Sequence, residues 1–177
     1  AAAAAAAATD PVLLIPLMEA ELASSISSTS TAEITERREE LRTRIEDAKT
    51  SAEFGVRSAQ VKFYDAFTGQ DADSMRAVWS HRDDIRCVHP GLQSLDGPDA
   101  VLDSWEQIFS VSEPFTIQPA RTRIDICGQT AMCSCVEETP GGGRLECLNV
   151  YRREEGSWKM ILHMASPILV TPESFSN

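Results

Sequence analysis

The densest concentration of reactive side chains is HRDDIRCVHPG, residues 81–91, with two histidines, a cysteine and two adjacent acids. Three chemistries could use such a set. A metal centre needs three or four convergent His, Cys or carboxylate ligands. A nucleophilic thiol needs an electropositive, partly open setting. General acid/base work needs a titratable group at a pocket with its pKa tuned there. Alternation along an extended chain puts Ile85, Cys87 and His89 on one side and Asp84, Arg86 and Val88 on the other. Arg86 therefore does not serve Cys87, and Pro90 closes the strand. His89 is the candidate acid or base, with Asp125, Glu137 and Tyr64 as partners. Against that stands a structural role, an imidazole fixing the Pro-Gly corner, and this is the favoured reading. His81 follows a helix end and is expected at the surface; Asp83 and Asp84 are expected to cap or solvate the turn.

The five cysteines, Cys87, Cys127, Cys133, Cys135 and Cys147, contain no C-x-x-C pair. Cys133 and Cys135 share a strand face and could bind metal or pair, but buried thiols acting as small hydrophobes are favoured. No metal and no cofactor are expected, and a reducing compartment is the default. No G-x-S-x-G elbow is present.

The chain has 177 residues and a net charge of −11, which argues against a nucleic-acid partner because a phosphate backbone needs a basic face. No apolar run approaches a membrane span. The eight opening alanines are set aside from functional reasoning. The absent initiator methionine gives the expectation of a removed targeting segment, and chloroplast is the suggested location.

These residues must be positioned by a recognisable series of elements. PVLLIPLM (11–18) reads as a docking segment or chain end, and 19–32 as a Ser/Thr linker. A capping box, Ser30 with Glu33, opens a charged helix whose thin stripe is Ile34, Leu41, Ile45 and Ala48. Thr50 with Glu53 either opens a second helix or lies within the first. That stretch carries Phe54, Val61, Tyr64 and Phe67, read as a core stripe, and ends at Gly69. A short helix follows Asp71, then the strand at 84–90 and an amphipathic helix with Pro98 in its first turn and Val101, Leu102, Trp105, Ile108 and Phe109 on one face. Period-two strands are expected at 115–126, 130–138, 144–153 and 157–165, with turns at 139–144 and 154–157. The fold class is α+β, about three helices on one face of a curved, mostly antiparallel sheet, with an N-terminal helical extension.

FYDAFTGQDADSMRAVW, CVHPG, LDGPDAVLDSWEQIF, GGGRLECLNVYRREEGSWKM and HMASP, in that order, resemble the nuclear-transport-factor-2-like superfamily and within it the SnoaL-like group. The resemblance covers roughly residues 51–167. It implies a cone-shaped domain (51–170) with a pocket at its wide end, preceded by an extension (1–50) and followed by a tail (171–177). Similar chains include cyclases, isomerases and dehydratases, and also non-catalytic modules that bind small ligands or dimerise. Relatives often carry consecutive histidines before the last Ser-Pro; here those places hold Leu162 and Met164 around His163. By strict alternation Trp158, Met160, Leu162 and Met164 share an apolar face, and His163 lies opposite with Lys159 and Ile161.

Two functions are compatible with this reading. The first is a non-catalytic accessory or scaffolding subunit that meets protein partners through the N-terminal segment, with Leu13, Leu14, Ile34, Leu41 and Ile45 as contact residues. The alternative is a small-molecule enzyme with His89 as general acid/base on an apolar substrate. Its pocket candidates are Tyr64, Trp79, His89, Trp105, Asn149 and Met160. A homodimer through the sheet face suits either.

Overall fold

The structure, a computed structural model, describes residues 10–24 and 31–169. The alanine run, residues 25–30 of the expected linker and the tail at 171–177 lie outside the described residues. The elements are α1 (Pro11–Ser24), α2 (Thr31–Thr68), α3 (Ala72–Val78), β1 (Arg86–Val88), β2 (Leu95–Asp96), α4 (Pro98–Val111), β3 (Gln118–Cys127), β4 (Thr130–Glu138), β5 (Arg144–Glu154) and β6 (Ser157–Pro167). The six strands form one curved sheet in the order β2-β1-β6-β5-β4-β3. All neighbours are antiparallel except β1 and β6, which run parallel. Parallel pairing is feasible there because α4 and the β3–β5 meander supply the long connection that a parallel neighbour requires.

Helix α2 is continuous over 38 residues, running straight through Thr50. Its buried side is Ala52, Val56, Ala59, Gln60, Phe63, Tyr64, Ala66 and Phe67. Phe54 and Val61 face solvent, 76% and 57% exposed, which corrects their expected place in the core stripe. At 100° per residue the row 52-56-59-63-66 is one face, and small alanines let the helix lie close to the sheet. At Gly55 the approach is tightest: a Cβ there would stand 2.7 Å from Trp158 Cδ1.

The segment read as a chain end and linker is helix α1, which lies against the first half of α2. Val12, Ile15 and Met18 are buried on it, and Pro16 falls on the exposed side. Leu41 and Ile45, expected to meet a partner protein, are buried within the chain's own core cluster, as is part of Leu14. Leu13 and Ile34 are half-buried. The stripe on α2 was legible, but its occupant is intramolecular. Arg37 to Glu21 at 2.8 Å and Lys49 to Glu19 at 2.7 Å stitch the margins. Arg153, from β5, closes the helix start by pairing with Asp10 at 2.8 Å.

Candidate functional site

The inner face of the sheet is set by register. One row reads Ile124, Cys133, Asn149, His163, Cys87 across β3, β4, β5, β6 and β1; the next brings Cys135 opposite Cys147 and Cys147 opposite Ala165. His163 belongs to this face because β6 carries a bulge. Tyr151 pairs with Met160 whereas Val150 pairs with Leu162, so Ile161 is an extra residue. Beyond such an insertion every side chain changes sides. Trp158 and Met160 point inward before it, His163 and Ala165 after it, and Met164 is exposed. The expectation of an unbroken Trp-Met-Leu-Met face is therefore corrected.

His163 stands under Phe63 of α2 and Trp105 of α4, at ring separations of 5.1 and 5.6 Å, and 6.5 Å from His89. Its Nδ1–H donates to Asn149 Oδ1 at 2.7 Å, which leaves Nε2 as the basic nitrogen. Complete burial pushes its pKa down to about 3, with His89 adding in the same direction. At neutral pH the ring is uncharged.

His89 is buried at the end of β1, edge-on to Trp105 at 4.6 Å. The Ser104 hydroxyl donates to Val101 O at 2.7 Å, so its oxygen accepts from His89 Nε2–H at 2.9 Å. Nδ1 is then the lone-pair nitrogen. Burial lowers the pKa of His89 as well. The side chain ties the corner to α4, a structural part, yet it also faces the cavity described below.

Glu137 is the buried carboxyl of the site. Burial raises its pKa, and the Tyr64 hydroxyl, donating to Oε1 at 2.9 Å, opposes that rise. A single network runs on from Tyr64. Gln60 Nε2 donates to Tyr64 Oη at 3.4 Å, while Gln60 Oε1 accepts from Asn149 Nδ2 at 3.0 Å and from the Tyr151 hydroxyl. Asn149 continues to His163. Glu137, Cys147 and His163 each offer a ligand atom, all within 4.8 Å of one another, and are the described residues that could hold a small, thiophilic cation.

Between α2, α4 and the inner sheet face lies a cavity of about 200 Å³. Phe63, Phe67, Trp105, Phe115, Ile117 and Leu145 give it apolar walls, and His89, His163 and Glu137 are its titratable groups. Among the described residues neither lysine nor arginine lines it. The Trp105 indole N–H has no acceptor among the described residues.

Of the six pocket residues expected from sequence, His89 and Trp105 line this cavity. Tyr64 and Asn149 stand behind it, holding Glu137 and His163. Trp79 and Met160 pair through a backbone bridge in the core and line no part of the cavity. Asp125 is turned away and pairs with Arg123 at 3.0 Å. Asp84 binds Arg152 at 2.6 Å, and exposed His81 contacts Arg76 O at 3.1 Å. Gln60, Phe63 and His163 went unrecognised as site residues. A polar residue on the buried row of α2 was the available signal for Gln60.

An α+β cone with helices laid into a curved sheet and a cavity at its open end defines the class. The chain belongs to the SnoaL-like family: the SnoaL-like domain model matches residues 56–171. Among solved structures, a proposed dehydratase of the NTF2-like family from Streptomyces avermitilis is 28% identical, with a TM-score of 0.65 over 69% of this chain and 99% of that one. A proposed calcium/calmodulin-dependent protein kinase type II association domain from Thiobacillus denitrificans is 31% identical, with a TM-score of 0.60 over 63% and 94%. The F-box protein SKIP8 of Arabidopsis thaliana is 24% identical over 114 residues, which are 64% of this chain and 49% of that protein. The chain thus spans about half the length of that curated relative. Among the described residues no helix is long and apolar enough to cross a membrane.

Proposed function

We propose that the cone binds a small, uncharged, oxygen-bearing organic molecule and moves a proton on it, in the manner of an isomerase or dehydratase. Glu137 is the acid and His89, through Nδ1, the base. The observation that carries this reading is a buried carboxyl, with its pKa raised, in the wall of a largely apolar cavity. A carboxyl raised in this direction keeps its proton to higher pH than a free one and can donate it, as tuned catalytic acids do. A dry cavity of about 150 Å³ admits benzene, so one somewhat larger suits a ring with one or two substituents. With both histidines neutral and no Lys or Arg in the wall, a carboxylate or phosphate would enter without a counter-charge. A carbonyl or hydroxyl oxygen could accept from Trp105. The resemblance to a proposed dehydratase points the same way.

The test is thermal stabilisation by neutral ring compounds such as cyclohexanone and phenol, beside benzoate, followed by hydrogen–deuterium exchange α to the ketone. Saturable stabilisation by the neutral compounds, with exchange lost in Glu137→Gln and in His89→Asn, is expected. Stabilisation by benzoate alone, or exchange unchanged in both variants, overturns it.

A second reading is association of two copies through the outer sheet face. Met132 and Met164 there are 43% and 41% exposed and flank half-buried Leu148, Val150 and Leu162. Contiguous apolar surface of this kind marks contact sites. The accessory-subunit role expected from the N-terminal stripe has less to stand on, since α1 covers Leu41 and Ile45.

A further inference from the structure

Two cysteines at the floor of the site are unused by the proton-transfer reading. Cys135 of β4 and Cys147 of β5 are direct cross-strand partners and both point inward. Opposed residues on antiparallel strands have Cα atoms about 4.5 or 5.5 Å apart, and both values fall within the roughly 4.4–6.8 Å that a disulfide spans. No other two of the five cysteines are paired in register: Cys133 faces Asn149 and Ile124, Cys87 faces His163 and Leu95, and Cys127 faces Thr130. We propose that Cys135 and Cys147 form a reversible disulfide under a small hydroperoxide, making the floor of the site a redox-modified position.

The surroundings supply what the chemistry needs. Gln60 Nε2–H donates to Cys135 Sγ at 3.7 Å, and Tyr64 Oη, whose own hydrogen goes to Glu137, lies 3.3 Å from the same sulfur. Cys147 Sγ is 3.8 Å from Nδ1 of His163, a residue of the cavity wall, so the cysteine pair lies directly behind the cavity.

In the first step the Cys135 thiolate attacks one peroxide oxygen, the O–O bond breaks, and the leaving hydroxide takes a proton and departs as water. In the second step Cys147 attacks the sulfur of the sulfenic acid, the S–O bond breaks, and a second water leaves. The two thiols lose two electrons and the peroxide gains them. The thiol hydrogens are then gone from the network that holds Tyr64 and Glu137.

The inference is independent of the ligand reading, because the thiols alone report it. The folded chain is exposed to hydrogen peroxide, its free thiols are alkylated after unfolding, and it is cleaved with trypsin. Cleavage at Arg123, Arg144 and Arg152 puts Cys127, Cys133 and Cys135 on one peptide and Cys147 on the next. The expected result is a linked pair of these peptides, lighter by two hydrogens than their sum and separated by dithiothreitol, with fragmentation placing the bond at Cys135. It persists in Cys133→Ser and disappears in Cys135→Ser and Cys147→Ser. Recovery of the Cys147 peptide fully alkylated after peroxide treatment, or a link that fragmentation places at Cys127 or Cys133, overturns it.

Discussion

Replacing His163 with Gln should change how stability depends on pH, by an amount the structure allows to be worked out. The imidazole is buried among Phe63, Trp105, Asn149 and Cys147, near His89, and the neighbouring carboxyl of Glu137 is itself buried. Its folded pKa is held down to about 3 by burial, against about 6.5 in an unfolded chain. A histidine with a depressed folded pKa contributes stability above its unfolded pKa and loses it as pH falls through 6.5 toward 3. Between about pH 8 and pH 5 the unfolded chain takes up nearly one proton that the folded chain does not. The loss is about 2 kcal/mol, at about 1.4 kcal/mol per pH unit below the unfolded pKa. That figure depends little on the folded value, so long as it lies well under 5.

Glu137 works in the opposite direction, because a raised carboxyl pKa favours the folded state as pH falls. The quantity to read is therefore the stability of the wild type minus that of His163→Gln, from urea unfolding at each pH. Glu137 and His89 are present in both chains and largely cancel. The difference should fall by about 2 kcal/mol from about pH 8 to about pH 5. A difference that stays flat would mean that His163 titrates normally in the folded chain, and the inward turn at the Ile161 bulge would be wrong.

Three further outcomes follow from the packing. Leu41→Ala should cost about 2–5 kcal/mol in chemical unfolding, the range for truncating a fully buried leucine, because Leu41 is covered by the chain itself. Gly55→Ala should cost about 1–3 kcal/mol and move the melting temperature down, since the added methyl meets the Trp158 ring rather than a flexible chain end. Met164→Glu, read by light scattering, should shift any dimer toward monomer while leaving unfolding within about 0.5 kcal/mol of the wild type, as is usual for an exposed position.

Much of the cone was legible in the chain. Pro98 and the apolar face of α4 announce that helix, and the glycines near 141 and 156 announce the hairpins that fix the register of β4, β5 and β6. His89 could be placed because Pro90 ends its strand and alternation turns it inward with Cys87. His163 could not be placed, because a bulge is one extra residue and KMILHM carries no glycine or proline to mark it. Alternation read straight through Ile161 sends every later side chain to the wrong face. Helix α1 was hidden for a different reason: Pro11 and Pro16 make the segment look broken, though a proline in the first turn is tolerated and Pro16 removes only one i→i−4 bond from a helix that buries Val12, Ile15 and Met18. Phe54 outweighed its small neighbours by hydrophobicity, yet the alanines mark the buried side, because close approach to the sheet selects for size.

If the cavity between α2, α4 and the sheet is a ligand site, its occupant meets the Trp105 indole N–H. Titrating nitrogen-15-labelled protein with cyclohexanone should move that resonance saturably as its unpartnered N–H gains an acceptor, together with the ring nitrogens of His163. Shifts confined to the outer sheet face, or a Trp105 signal that stays in place at saturating ketone, would mean that the cavity takes no such ligand.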